Sequence, residues 1–255
     1  HLSVNCRPLP PMFAITGGKG GSGKTTTTLG VAQALADQGA APLVVDADVD
    51  MPDLHILANV PPEPNADDIA AGAHVECARH RPAEYPGIAV VPAGQTEGTA
   101  VTLERLCDWH GPVLVDCPAG ASADATLPLR FADSTVLVTT DTPQSLSDAR
   151  KTARVAARLD APVAATLIRG PTADTVSTPV DTAPTERLDN SSTGDVLSDP
   201  EFRLACRSIA KLVRSGTSSG VENQCEDWTK TGQTGVSSGG SRIDSENRGG
   251  IFNGR

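Results

Sequence analysis

Short apolar runs recur along the first two-thirds of the chain, and stretches of helical period separate them. Phe13, Ala14 and Ile15 form the first run, and a glycine-rich segment follows it. Over residues 25–36 the apolar positions shift to helical spacing, with Leu29, Ala32 and Leu35 on one face, and Gly39 ends the pattern. Leu43, Val44 and Val45 make a second run that ends in Asp46. Residues 88–91 make a third, and Val113, Leu114 and Val115 a fourth that ends in Asp116. A short helix is expected over 99–107, and a long one over 143–159 between runs at 135–138 and 163–168. Residues 58–87, rich in Pro, Ala and Gly, predict a loop with at most one short helix.

Unbroken apolar runs this short belong to strands buried on both faces. Their alternation with helices predicts an α/β fold, a mostly parallel twisted sheet with helices on both faces. Ligands of such sheets bind beyond the carboxyl ends of the strands. The glycine-rich segment, Asp46 and Asp116 all fall at such ends, so the candidate chemistry converges on one edge. After Gly170 the pattern weakens, and the last strands of a longer sheet are not evident in residues 171–199. One more helix is expected over 201–213. From 215 to 255 the chain is Gly, Ser, Asn and Thr with few large apolar side chains, a composition that predicts a disordered tail. The expected organisation is an N-terminal extension over 1–11, one domain over 12–214 and a polar tail over 215–255.

The segment Gly18, Lys19, Gly20, Gly21, Ser22, Gly23, Lys24, Thr25 satisfies G-x-x-x-x-G-K-[ST]. Glycines let the backbone curl so that successive N–H groups face phosphate oxygens, and the helix that follows aims its positive end at the same charge. Lys24 places a cation on the β- and γ-phosphates, and Thr25 offers a hydroxyl to Mg²⁺. The motif stands between a strand and a helix, as this mechanism requires, and makes the chain a P-loop NTPase by expectation.

A second lysine, Lys19, lies inside the loop, and with Thr26 the pattern reads K-G-G-x-G-K-T-T. It resembles the deviant Walker A motif of the MinD/ParA family of P-loop ATPases, nearest the archaeal MinD-like members. The run V-V-D-A-D at 44–48 resembles that family's first switch, and V-L-V-D-C-P-A-G at 113–120 its second. The resemblance covers residues 12–170. It implies ATP and Mg²⁺ as ligands, ATP hydrolysis, and an ATP-dependent homodimer in which Lys19 reaches the partner's nucleotide. It further implies that Asp48 positions the attacking water, that Asp46 and Asp116 hold the Mg²⁺ shell through water, and that the backbone N–H of Gly120 reads the γ-phosphate. Asp50 and Asp53 read instead as turn or helix caps. The family often carries an Asn before Arg to read adenine, and here Ile168 precedes Arg169.

Charge and cysteine usage narrow the partners. The chain carries 31 acidic and 21 basic residues, a net charge of −10, which repels phosphate backbones and anionic lipids unless the local charge differs. Such an acidic, lysine-poor composition resembles that of proteins from salt-loving archaea. DNA, the partner of a ParA-like partition protein, is therefore the weaker expectation. A metallocluster carrier of the same family needs paired cysteines near the dimer interface, and none of the six cysteines forms C-x-x-C, so scattered reduced thiols and a cytoplasmic setting are expected. No apolar run reaches membrane-spanning length, which leaves peripheral membrane contact as the family's route to a bilayer. The one basic amphipathic stretch sets Arg203, Arg207, Lys211 and Arg214 beside Phe202, Cys206, Ile209 and Val213. Docking of that apolar stripe on the sheet is the expected outcome. The leading functional expectation is a nucleotide-switched ATPase, triggered by an activating protein, that positions a cellular component.

Overall fold

The computed structural model describes residues 9–95, 98–120, 122–171, 178–189 and 195–217. The expected extension and polar tail fall almost wholly outside these. The strands are β1 Met12–Thr16, β2 Leu43–Asp46, β3 Ala89–Val91, β4 Val113–Asp116, β5 Ser134–Thr140, β6 Val163–Arg169 and β7 Thr185–Leu188. The helices are α1 Lys24–Ala36, α2 Leu54–Leu57, α3 Ala66–Ala71, α4 Val75–Ala78, α5 Thr99–Glu104, α6 Ala123–Thr126, α7 Pro143–Arg158 and α8 Pro200–Thr217. The strands form one sheet in the order β3-β2-β4-β1-β5-β6-β7, and every pairing is parallel.

Both faces of this sheet are covered, which is why its strands read as continuous apolar runs. On β1, Phe13 and Ile15 face one way and meet Leu29 and Leu35 of α1 and Phe202 and Ile209 of α8. Met12 and Ala14 face the other way, into a layer with Val113, Val115, Leu129 and Leu106. Leu137 of β5 packs on that second side against Ala149 and Ala153 of α7. The α8 helix behaves as expected. Phe202, Cys206, Ile209 and Val213 are each at most 2% exposed, while Arg203, Arg207 and Lys211 stand in solvent.

The strand order reverses at β1. The chain leaves β1 towards β2 and β3, returns to β4, then crosses to β5 on the other side. Such a switch point opens a crevice beyond the carboxyl end of the central strand, and the glycine-rich loop occupies it.

Three expectations need correction. The sheet has an additional strand, β7, in the region read as patternless. Its residues Thr185, Glu186, Arg187 and Leu188 are mostly polar because they form an edge, paired only with β6. Residues 58–87 hold two short helices rather than at most one. Asn65 starts α3 through a capping box with Asp68, and His74 caps α4, so local side-chain hydrogen bonds stand in for the missing apolar period. The last helix, expected over 201–213, runs over Pro200–Thr217.

Candidate functional site

The loop between β1 and α1 is shaped by glycines that no other residue replaces without strain. Gly21 and Gly23 have φ of 75° and 89°, in the left-handed region. A Cβ on Gly18 would lie 2.5 Å from the Cβ of Asp148, so the loop is pressed against the first turns of α7. The side chain of Lys19, one residue on, is exposed.

At the start of α1, Lys24 is 8% exposed and lies near Asp116, which ends β4, and near Asp48, two residues past Asp46 at the end of β2. The register Asp46↔Asp116 sets those two carboxylates on adjacent strands at one level. Asp46 is 2% and Asp116 1% exposed. Asp116 receives hydrogen bonds from the hydroxyls of Thr25 and Thr28, the latter at 3.2 Å. The Thr28 hydroxyl also lies 2.9 Å from the carbonyl of Lys24, one helical turn back. Asp46 accepts from the backbone N–H of Asp48 at 2.9 Å and of Leu54 at 3.3 Å, and so fastens the segment that follows β2.

Burial dominates the acidity of this pair. Asp46 is pushed up to about 8, first by loss of solvent and then by the facing Asp116. Asp116 is pushed up to about 7 by burial, against the opposing pull of Thr25 and Lys24. Asp48, half-buried, is also raised by burial, and its carboxylate accepts the backbone N–H of Met51 at 3.2 Å. Burial keeps these two carboxyls partly protonated, and a divalent cation brought beside them would favour their ionised form, so the donor set fits such an ion. A hydroxyl on Thr25, next to Lys24, completes the oxygen donors that Mg²⁺ prefers.

The segment after β4 closes on the loop. Gly120, with φ of 95°, donates its N–H to the carbonyl of Gly17 at 3.0 Å. The N–H assigned from sequence to a γ-phosphate is therefore engaged with the loop itself. Cys117 is wholly buried, and burial raises its thiol well above the ordinary range. It does not present sulfur to a second subunit, which counts against a cluster ligand. Among the described residues no group of His, Cys, Asp and Glu is arranged to hold a metal by itself.

All the residues singled out from sequence thus gather at one sheet edge, although Asp48 also acts as a turn cap. Sequence reading missed three neighbours. Thr28 was legible in principle, four residues after Lys24 and so on its face of the helix. Asp148 and Arg169 were not. The Arg169 guanidinium comes within 2.1 Å of a Cβ placed on Gly23, bringing β6 over the start of α1. Ile168 is 2% exposed, so its side chain takes no part in the site.

The sequence pattern of the CobQ/CobB/MinD/ParA nucleotide binding domain matches residues 13–200. An uncharacterised ATP-binding protein of Methanocaldococcus jannaschii is 32% identical over 158 residues, 58% of this chain and 59% of that protein. The septum site-determining protein MinD of Synechocystis is 29% identical over 149 residues, 54% of this chain and 56% of that one. The chain thus spans under three-fifths of the length of these two relatives. In fold it resembles the MinD of Pyrococcus horikoshii solved with Mg-ADP, at a TM-score of 0.64 and 20% identity over 85% of this chain and all of that one.

Proposed function

The chain belongs to the CobQ/CobB/MinD/ParA nucleotide-binding family, and on that premise we propose that it is an Mg-ATP-dependent switch that hydrolyses ATP, pairs with a second copy when ATP is bound, and positions a cellular component. One observation carries this reading. A left-handed glycine loop, a buried lysine and two buried carboxylates meet at the sheet's switch point. Solved relatives of the fold include a MinD with Mg-ADP and a MinC:MinD cell division complex, which support the ligand and the kind of partner.

In this reading the amides of Gly20, Gly21, Ser22 and Gly23 and the start of α1 bind the phosphates. Lys24 neutralises the β- and γ-oxygens, and Thr26 follows as part of the same turn. Thr25, Asp46 and Asp116 hold Mg²⁺, the last two through water. When bound, the ion neutralises charge across the β- and γ-phosphates. Asp48 orients the attacking water. Gly120 exchanges its bond to Gly17 for the γ-phosphate and so reports whether that phosphate is present. Lys19, exposed on the loop, contacts the nucleotide of the second copy, much as an arginine finger does. Residues 12–214 form the working domain, and the switch acts in the cytoplasm or at a membrane surface, with DNA the weaker partner for a chain of net charge −10. An activating protein completes the cycle. No described helix is long and apolar enough to cross a membrane.

The test is light scattering with Mg-ATP or Mg-ADP on Asp48→Ala and on Asp48→Ala/Lys19→Ala, paired with phosphate release by the unmodified chain. Asp48→Ala should dimerise with ATP alone and hydrolyse it at least tenfold more slowly than the unmodified chain (about 1.4 kcal/mol of barrier). The double variant should stay monomeric. Equal dimerisation of the two variants would overturn the role of Lys19, and wild-type turnover in Asp48→Ala would overturn that of Asp48.

A further inference from the structure

Away from the edge that holds the glycine-rich loop, α1 and α8 leave a groove between them. Gly30, Ala34, Leu197 and Phe202 give it an apolar lining. Gln33, Asp37 and Tyr85 contribute polar groups, and Arg203 and Arg207 of α8 also line it.

Those arginines begin a cationic ridge. Arg203, Arg207 and Lys211 are exposed and recur every four residues, on one stripe of the helix. None of the three has an ion-pair partner among the described residues. The apolar stripe of α8 is already buried in the core, so these cations form a fixed row on a packed element. On a chain of net charge −10 the row is a local inversion, opposed at the groove by Asp37 and, beside Tyr85, by Asp195 and Glu84. Leu204, 65% exposed, stands beside Arg203.

Gln33 adds a directional demand. Its Nε2 donates to Asp37 Oδ1 at 2.9 Å and to the carbonyl of Pro86 at 3.3 Å. Two acceptors on that side fix which end of the amide is nitrogen. Its Oε1 is buried and has no hydrogen-bond partner. With no surface open to solvent, it accepts from an incoming N–H only once the Gln33 side chain turns outward.

The groove thus calls for three things at once: carboxylates beside the arginines, an apolar side chain against the half-buried Leu197, and an N–H donor near Gln33. A peptide supplies all three. A nucleic-acid strand or an anionic bilayer supplies charge, but the acidic remainder of the chain repels an extended polyanion.

We propose that the α1–α8 groove is a docking site for an acidic segment of a partner protein that carries leucine-like side chains. The proposal does not depend on the nucleotide reading. It is tested on the full chain by fluorescence anisotropy with a labelled twelve-residue peptide of alternating glutamate and leucine. The same peptide with glutamine for glutamate, a twelve-nucleotide single-stranded DNA and phosphatidylglycerol vesicles serve as the other arms. The acidic peptide should bind, at least about tenfold more tightly than its glutamine counterpart. Arg203→Glu/Arg207→Glu should remove that preference, and Gln33→Leu should weaken binding. Arg158→Glu, on the exposed face of α7, should leave it unchanged. Circular dichroism of each variant confirms its fold. Three results would each overturn the proposal: no binding of the acidic peptide at millimolar concentration, equal binding to the Arg203→Glu/Arg207→Glu variant, or tighter arginine-dependent binding of DNA or vesicles.

Discussion

At neutral pH the Asp46–Asp116 pair should make metal-nucleotide binding a proton-releasing event. Both carboxyls are raised from an ordinary value of 3.8, Asp46 to about 8 and Asp116 to about 7, with burial the first cause in each case. At pH 7 such groups hold roughly one proton or slightly more between them in the folded chain, and an Mg²⁺ shell requires both as carboxylates. Binding of Mg-ADP at pH 7 should therefore release about one proton per site, falling towards none above about pH 9. Calorimetry in buffers of different ionisation enthalpy reads this number as the slope of apparent enthalpy. The same shifts govern folding without ligand. Between about pH 4 and pH 8 the folded chain binds more protons than the unfolded one, so stability from these two groups falls as pH rises. Asp46→Asn should therefore stabilise the ligand-free chain at pH 8.5 against urea while weakening Mg-ADP binding and cutting the proton count. A slope of zero at pH 7, with affinity flat from pH 6 to 9, would refute the reasoning.

Two further outcomes are expected. Lys24→Ala should abolish ATP binding in calorimetry, because the β- and γ-phosphates lose the one cation held at the start of α1. Ile209→Ala, at a fully buried position where α8 meets the sheet, should cost about 2–5 kcal/mol in urea unfolding. Its ATP affinity should change little, since the residue lies away from the loop.

Much of the fold was legible because parallel strands covered on both faces must be apolar throughout. Val113 to Val115 and Leu43 to Val45 announce themselves by that requirement. The strand β7 escaped it: as an edge it needs one partner and buries only Leu188 fully, so Thr, Glu and Arg are tolerated there. The helices α3 and α4 escaped because they are six and four residues long, too short for a period to show. Their signals were caps, Asn65 and His74, rather than a pattern.

The loop from Gly18 to Thr25 and the strand-end carboxylates follow from local chemistry. Glycines at positive φ, a lysine at a helix start and aspartates ending apolar runs can all be read from neighbouring residues. Tertiary structure alone decided what those groups face. Only the strand order sets Asp46 opposite Asp116, at residues 70 apart in the chain, and so adds to the burial that raises Asp46. Only the packing of α7 and β6 brings Asp148 to Gly18 and Arg169 to Gly23. The joining of α1 to α8 leaves Gln33 Oε1 buried without a donor and sets a row of cations along an acidic chain. Periodicity and caps act within a few residues, whereas acidity, contact and surface charge depend on which distant segments the sheet brings together.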